Sequence, residues 1–486
     1  MCRRRGRSAA LATLLLCAAV AGCERTTSGT LPAGVATGAS TPAAGPIGKA
    51  DRPSVLLVVV DTLRADYLPV YGSTWGRTPS LDRLAADGVV FERAVAAAAA
   101  TVPSHASIFT SRFVRQHSIG SSNGGTKLGG ETTLAGRFRS AGYATAGFVS
   151  NVMLSASTGL GRGFDLYDDH LPKQEPNRPL FFEREARETT QRAVRWLKRA
   201  GDQPVFLLVH YQNPHGPYTP PEHVLRAIAT REPAGEPTLS VNEGQSGQGG
   251  IPAYQAIPGL NRPSQYERRY QAEILFMDRW LGPLLHEFDA HREGAGHIVL
   301  FTADHGESFG ENDHWFEHGH ATTPDIAHVP FLLRAPGIAA GRVGTPVSHV
   351  DILPTLLELA GLPVPTDARG IALGPYLREG RDLPSRELYC DLGTEAAVYD
   401  ERGFTRVRFP SVEAATGGDV RRATVERFRW TGDATWLPSP EQPVLGGEAR
   451  SYLSDVKTPR PATMLRKNPG RVERLRALGY LEPAGD

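Results

Sequence analysis

The chain has 486 residues, of which 40% are hydrophobic and 22% charged, with a formal net charge of +1. Single cores stop growing near roughly 250–300 residues, so one large domain with a smaller companion is expected. The composition excludes a disordered or membrane-embedded chain, and no basic stripe invites nucleic acid.

The first residues read as an address. Arg3, Arg4, Arg5 and Arg7 precede the apolar run Ala9 to Val20, which leads into Val20-Ala21-Gly22-Cys23. A basic start, a short apolar run and small residues at a cut site make residues 1–22 a signal peptide, and the run falls short of the ~20 residues a spanning helix needs. Loss of its four arginines brings the net charge to about −3. The small residues before Cys23 resemble the bacterial lipobox. That resemblance implies cleavage before Cys23, a lipid on its sulfur, and a lipid-anchored protein of the bacterial cell envelope, periplasmic or outer-membrane. The membrane would be a partner through that lipid. Residues 23–52, rich in Thr, Ser, Gly, Ala and Pro, read as a flexible tether. Cys2 and Cys17 leave with the signal, so Cys390 has no thiol to pair with and reads as packing.

Order begins at Ser54 to Val60, a continuous apolar run rich in β-branched residues that suits a strand covered on both faces. Similar runs recur at Val205 to His210 and His297 to Phe301. Each follows a helical pattern, Ala186 to Ala200 and Ala272 to Phe288, and this alternation predicts an α/β fold. Polar residues follow each run at once: Asp61-Thr62, Tyr211 to His215, and Asp304-His305-Gly306-Glu307. Ligands gather at the carboxyl ends of such strands, so three strand ends point to one site. Glu232 to Gly259 reads as a long surface loop beside it. After about Leu362 the pattern becomes shorter, half-polar strands at Glu387 to Phe409 and Ala423 to Thr431, then an amphipathic segment, Arg471 to Leu478. This gives a catalytic domain over 53–362 and a C-terminal subdomain over 363–486.

Carboxylate and imidazole together at Asp61, Asp304 and His305 suit zinc or manganese better than calcium. An aspartate at a strand end also caps helices, and it is the combination that points to a metal. Between these residues lies Thr101-Val102-Pro103-Ser104-His105-Ala106-Ser107, after the small run Ala96 to Ala100. It reads as a helix start, where open N–H groups and the helix dipole favour an anionic hydroxyl.

On these motifs the chain resembles the sulfatase family of the alkaline-phosphatase superfamily over nearly all of residues 53–486. Val58 to Asp66 looks like the first metal motif and Thr101 to Thr110 like the nucleophile motif. Ala141 to Phe148 and Gly163-Phe164-Asp165 look like the segments after it, and Pro214 to Tyr218 like the substrate-side histidine motif. Thr302 to Glu307 and Glu317-His318-Gly319-His320 look like the second metal motif and the late basic residue, Val350 to Leu356 like the closing helix of the large domain, and Leu475 to Leu481 like the family's ending. The resemblance implies a large mixed, mostly parallel sheet between helices, with a smaller α+β C-terminal subdomain.

The departures are as informative. Family members carry Cys or Ser where Thr101 stands and oxidise it to formylglycine, and they carry arginine where His105 stands. Threonine's methyl forbids the same aldehyde, so no formylglycine is expected. Thr62 replaces a second metal aspartate. The metal ligands implied are Asp61, Thr101, Asp304 and His305, a set similar to that of the superfamily's phosphoethanolamine transferases and phosphodiesterases. His215 with His318 or His320 would act on the ester oxygens or the leaving group, and spacing does not separate the last two. Arg64 and His105 are second choices, expected to bind substrate, with a salt bridge from Arg64 to Asp66 or to the C-terminal helix region as the alternative. The activity implied is metal-dependent hydrolysis of sulfuric or phosphoric esters with Thr101 as nucleophile, phosphodiesters or phosphonates ahead of sulfate. An envelope phosphotransferase and a catalytically silent glycan-binding module are the alternatives. The lack of transmembrane patterns disfavours the first, and the retained metal set disfavours the second.

Overall fold

The computed structural model describes residues 52–120, 127–432 and 435–455, all within one compact unit, Pro46–Asp486. The signal peptide, Cys23, the tether up to residue 51 and the segment Arg471 to Leu478 lie outside the described residues.

The apolar run at the start of the domain forms β1 (Ser54–Val60), and every one of its residues is buried. Its sequence does not alternate because it is covered on both faces, between two parallel neighbours. The sheet contains β2 (Val89–Phe91), β3 (Ala144–Phe148), β4 (Leu166–Asp168), β5 (Val205–Tyr211), β6 (His297–Ala303), β7 (Phe331–Arg334) and β8 (Gly341–Val343). Their spatial order is β8-β2-β7-β6-β1-β5-β3-β4. Pairs from β6 through β1, β5 and β3 to β4 are all parallel, and β7 runs antiparallel to both β6 and β2. The fold is therefore α/β with a large, mostly parallel sheet.

Four helices matter for the site: α1 (Thr101–Thr110), α2 (Ala186–Leu197), α3 (Pro263–Ala290) and α4 (Ile352–Leu359). Helix α3 begins well before the expected Ala272. Pro263 stands at its first turn, where a missing N–H costs nothing, and the Gln265 side chain receives the Arg262 N–H. The expected loop over Glu232 to Gly259 is largely irregular, but Tyr254 and Gln255 are buried and both donate to Phe316 O, at 3.0 Å each. The loop is anchored inward at that point.

A second, antiparallel sheet has the order β9 (Leu388–Asp391), β10 (Glu395–Asp400), β11 (Gly403–Arg408), β12 (Thr424–Gly432) and β13 (Thr435–Pro438). It packs on the strand-like run ahead of α1. Asp391 N donates to Ala97 O at 3.2 Å, and Ala96 N donates to Ala327 O at 2.8 Å. The run Ala96 to Ala100 is buried throughout, which only small side chains allow this close to two flanking segments.

Candidate active site

The central strands deliver their polar ends to one place. Asp61 N donates to Tyr211 O at 2.9 Å and Asp304 N to Val60 O at 3.1 Å, so the parallel ladder runs one residue past β1 and fixes both carboxylates at its end. Thr62 then turns the chain with φ 54°, a left-handed conformation costing a β-branched residue roughly 1–3 kcal/mol. The turn is held by Thr62 N donating to Asp304 Oδ1 at 3.2 Å and by the Tyr270 hydroxyl donating to Thr62 O at 2.6 Å. Thr101 is the first residue of α1, and Ala100 before it offers no side chain to cap the helix. The first-turn N–H groups are thus left for an anion. Ser104 Oγ donates to Asp304 O at 2.6 Å and bonds Ala98 O at 3.0 Å, tying the helix start to the strand end.

These connections close a cage of four ligand atoms. His305 Nε2 lies 3.4 Å from Thr101 Oγ1, 3.6 Å from Asp304 Oδ2 and 3.9 Å from Asp61 Oδ1. A tetrahedral ion with bonds of about 2.0–2.1 Å holds its ligands roughly 3.4 Å apart, near the first two of these separations and below the third. The atoms are also directed for it. His305 Nδ1 donates to Gly306 O at 2.9 Å, which leaves the Nε2 lone pair facing inward. Asp61 Oδ1 and Asp304 Oδ2 are buried without a hydrogen-bond partner, a costly arrangement unless a cation completes it. Asp61, Asp304 and His305 form one of the metal-competent groups among the described residues.

The electrostatics agree. Burial raises both carboxyls, the imidazoles of His215, His210 and His305 bring Asp61 back below its usual range, and Asp61 helps to push Asp304 well above it. Two buried carboxylates so close ionise together only with a cation between them. Burial, with His318 adding to it, pushes His305 down to about 3. The imidazole is then neutral, as a ligand must be.

Around the cage, the His318 ring lies tilted 34° to the His305 ring at 4.4 Å between centroids, and 5.3 Å from the His215 ring. Its Nδ1 donates to Glu307 Oε1 at 3.0 Å, and the other carboxylate oxygen accepts from Tyr218 OH at 3.0 Å. Burial disfavours charge on His318, yet Glu307 raises it above the ordinary imidazole value. His215 donates from Nδ1 to Gly216 O at 2.6 Å, and burial holds it neutral.

The remaining expected residues stand elsewhere. His320 turns away, stacked on His314 at 3.9 Å and bonded to Ser308 Oγ at 3.2 Å. His105 sits behind Thr101, 1% exposed, with Nδ1 donating to Thr101 O at 2.8 Å. Arg64 is buried and engaged with protein: Nε and Nη2 with Asp66 at 3.0 and 2.8 Å, Nη1 with Glu307 O at 2.9 Å and Glu311 at 2.8 Å. Its guanidinium holds the loop after β1 to the loop after β6. Asn151, His210, Glu307 and Tyr218 are present at the site but were not singled out from sequence. Glu307 and Tyr218 fell within the polar cluster and the histidine motif read there, and His210 ended an apolar run, but none of them was given a role.

Strand ends, uncapped helix start and carboxylate–histidine cage together define an ester hydrolase of the alkaline-phosphatase-like fold. The chain belongs to the sulfatase family, whose model, Sulfatase, matches residues 53–362. It is 27% identical over 383 residues to an arylsulfatase of Clostridium perfringens, covering 68% of this chain and 79% of that one. It is 25% identical over 429 residues to a multifunctional alkaline phosphatase superfamily protein of Trinickia caryophylli, covering 72% and 82%. Among solved structures, the phosphonate monoester hydrolase of Agrobacterium radiobacter superposes with a TM-score of 0.60 at 20% identity, covering 88% of this chain and 96% of that one. A structure in complex with its substrate D-glucosamine-2-N,6-O-disulfate superposes with a TM-score of 0.63 at 18% identity, covering 89% and 99%.

Proposed function

We propose that this protein hydrolyses phosphorus esters, phosphodiesters or phosphonates, ahead of sulfate esters, with Thr101 as nucleophile and a divalent metal, zinc or manganese before calcium, held by Asp61, Thr101, Asp304 and His305. The observation that carries this is the threonine hydroxyl at an uncapped helix start, 3.4 Å from a histidine nitrogen that also faces two unpartnered carboxylate oxygens. The metal, when bound, supplies the positive charge that lowers the hydroxyl pKa and draws electron density from the ester. The first-turn N–H groups of α1 receive the non-bridging oxygens. Thr101 Oγ, its proton released to solvent, forms a bond to phosphorus as the bond to the leaving oxygen breaks. His318 Nε2 gives its proton to that oxygen, and Glu307 on Nδ1 stabilises the charged ring beforehand. Water then attacks phosphorus, returns a proton to His318, and Thr101 Oγ departs.

The second half of this sequence is what separates phosphorus from sulfur. A formylglycine hydrate releases sulfate by collapsing to its aldehyde, and a sulfated threonine has no such exit. Phosphothreonine can be displaced by water with the same groups that formed it. A relative named an arylsulfatase and a structural neighbour named a phosphonate monoester hydrolase support weighing the two chemistries against each other. Aryl phosphodiester, phosphonate and sulfate substrates, assayed side by side on metal-loaded protein, are expected to rank the phosphorus esters first, with Thr101→Ala losing at least ~10³-fold in turnover. Sulfate turnover faster than both, and persisting in Thr101→Ala, would contradict the proposal.

The reading places the enzyme on a membrane through lipid at Cys23, which the sequence motif supports. Among the described residues no helix is long and apolar enough to cross a membrane. Cell fractionation is expected to move Cys23→Ala into the soluble pool, and a variant as firmly bound as wild type would remove the anchor.

A further inference from the structure

Each metal-facing carboxylate has one oxygen already occupied by protein. Asp304 Oδ1 accepts from Thr62 N at 3.2 Å and from His305 N at 2.9 Å. Asp61 Oδ2 accepts from Asn151 Nδ2 at 2.6 Å, with both residues at most 1% exposed. The amide orientation of Asn151 is fixed from its other side, where Oδ1 accepts from Met153 N at 2.8 Å, so the NH₂ group has to face Asp61.

A second donor approaches the same oxygen. His210 Nε2 lies 3.5 Å from Asp61 Oδ2. Ser150 N donates to His210 Nδ1 at 3.4 Å, which puts the ring proton on Nε2, on the Asp61 side but short of a formed hydrogen bond. Ser150 Oγ bonds both His210 O and Thr189 Oγ1 at 2.7 Å, locking the segment to β5 and α2. This tautomer also removes His210 as a ligand, although it groups with His105 and Asp304 by distance.

We propose that Asn151, assisted by His210, determines which metal the site accepts by holding Asp61 to a single coordinating oxygen. This rests on the cage binding a metal as argued above. With Asp61 and Asp304 both limited to one oxygen, the protein offers two carboxylate oxygens, one imidazole nitrogen and one hydroxyl. Four mixed ligands match a tetrahedral transition-metal site. Calcium takes 6–8 oxygens and commonly uses both oxygens of a carboxylate, which the Asn151 bond denies it.

The test uses the metal ions alone. Apoprotein is titrated with Zn²⁺, Mn²⁺ and Ca²⁺ in competition with a chromophoric chelator, for wild type, Asn151→Leu and Asn151→Ser, with apoprotein melting recorded alongside. Asn151→Leu deletes the donor. Asn151→Ser deletes it while keeping a hydroxyl that can cap Met153 N, and covers the case in which the first variant does not fold. In both, Asp61 Oδ2 becomes available, and the preference for Zn²⁺ over Ca²⁺ is expected to fall roughly 10- to 100-fold, in the range seen when outer partners of a ligand are removed. An unchanged preference in folded variants, including equal loss for both ions, would overturn the proposal. Failure of wild type to bind any of the three would instead contradict the metal site itself, a separate result.

Discussion

Two of the carboxylate–histidine clusters among the described residues are built from the same materials and differ in where lone pairs are left. One is the cage of Asp61, Asp304 and His305; the other is His314, Glu317 and His320. In the cage, His305 has its Nδ1 proton on a backbone carbonyl, and each carboxylate keeps one oxygen without a partner. In the second cluster, Glu317 Oε1 is taken by His314 Nδ1 and Oε2 by Gly247 N. Its two imidazoles stack face to face at 9° between planes, so their in-plane lone pairs run side by side and do not converge on a point. Proximity of histidine and carboxylate is therefore a poor guide to metal binding. The backbone groups that occupy one side of each ligand decide whether the other side faces a cation.

Substitutions in the two clusters should consequently diverge. The largest effect is expected from His305→Ala, which should abolish stoichiometric zinc binding by elemental analysis after desalting, where wild type retains close to one ion per chain. The Asn151 variants fall between, still binding metal but with altered preference. His314→Ala should do least, leaving both stoichiometry and affinity at wild-type values. Loss of the bound ion in His314→Ala, with His305→Ala unaffected, would invert the comparison.

The reading from sequence reached the cage because its residues follow apolar strands directly, and a parallel sheet carries such ends to one edge. Asn151 and His210 were not reached, since their role is a contact with Asp61 made across distant parts of the chain. His318 and His320 could not be separated by spacing. Between them Gly319 adopts φ 80°, a turn that sends neighbouring rings to different clusters, and nothing in a two-residue interval encodes that direction. Arg64 makes the salt bridge with Asp66 that its spacing also allowed, and its other acceptors, Glu307 O and Glu311, come from the loop after β6, which no local pattern announces. The early start of α3 was hidden because its first two turns carry the polar residues Gln265, Glu267, Arg268 and Arg269 ahead of the apolar run.

Everything in the mechanism passes through the threonine hydroxyl at the head of α1. Wild-type protein loaded with metal is mixed with an excess of aryl phosphodiester or phosphonate, quenched in acid within the first turnovers, digested and examined by mass spectrometry. The account predicts a phosphoryl or phosphonyl adduct on Thr101, formed at the rate of the first product burst and absent when substrate is omitted. An unmodified Thr101 peptide throughout steady turnover, with Thr101→Ala retaining wild-type rates, would show that water attacks the ester directly and would contradict the central claim.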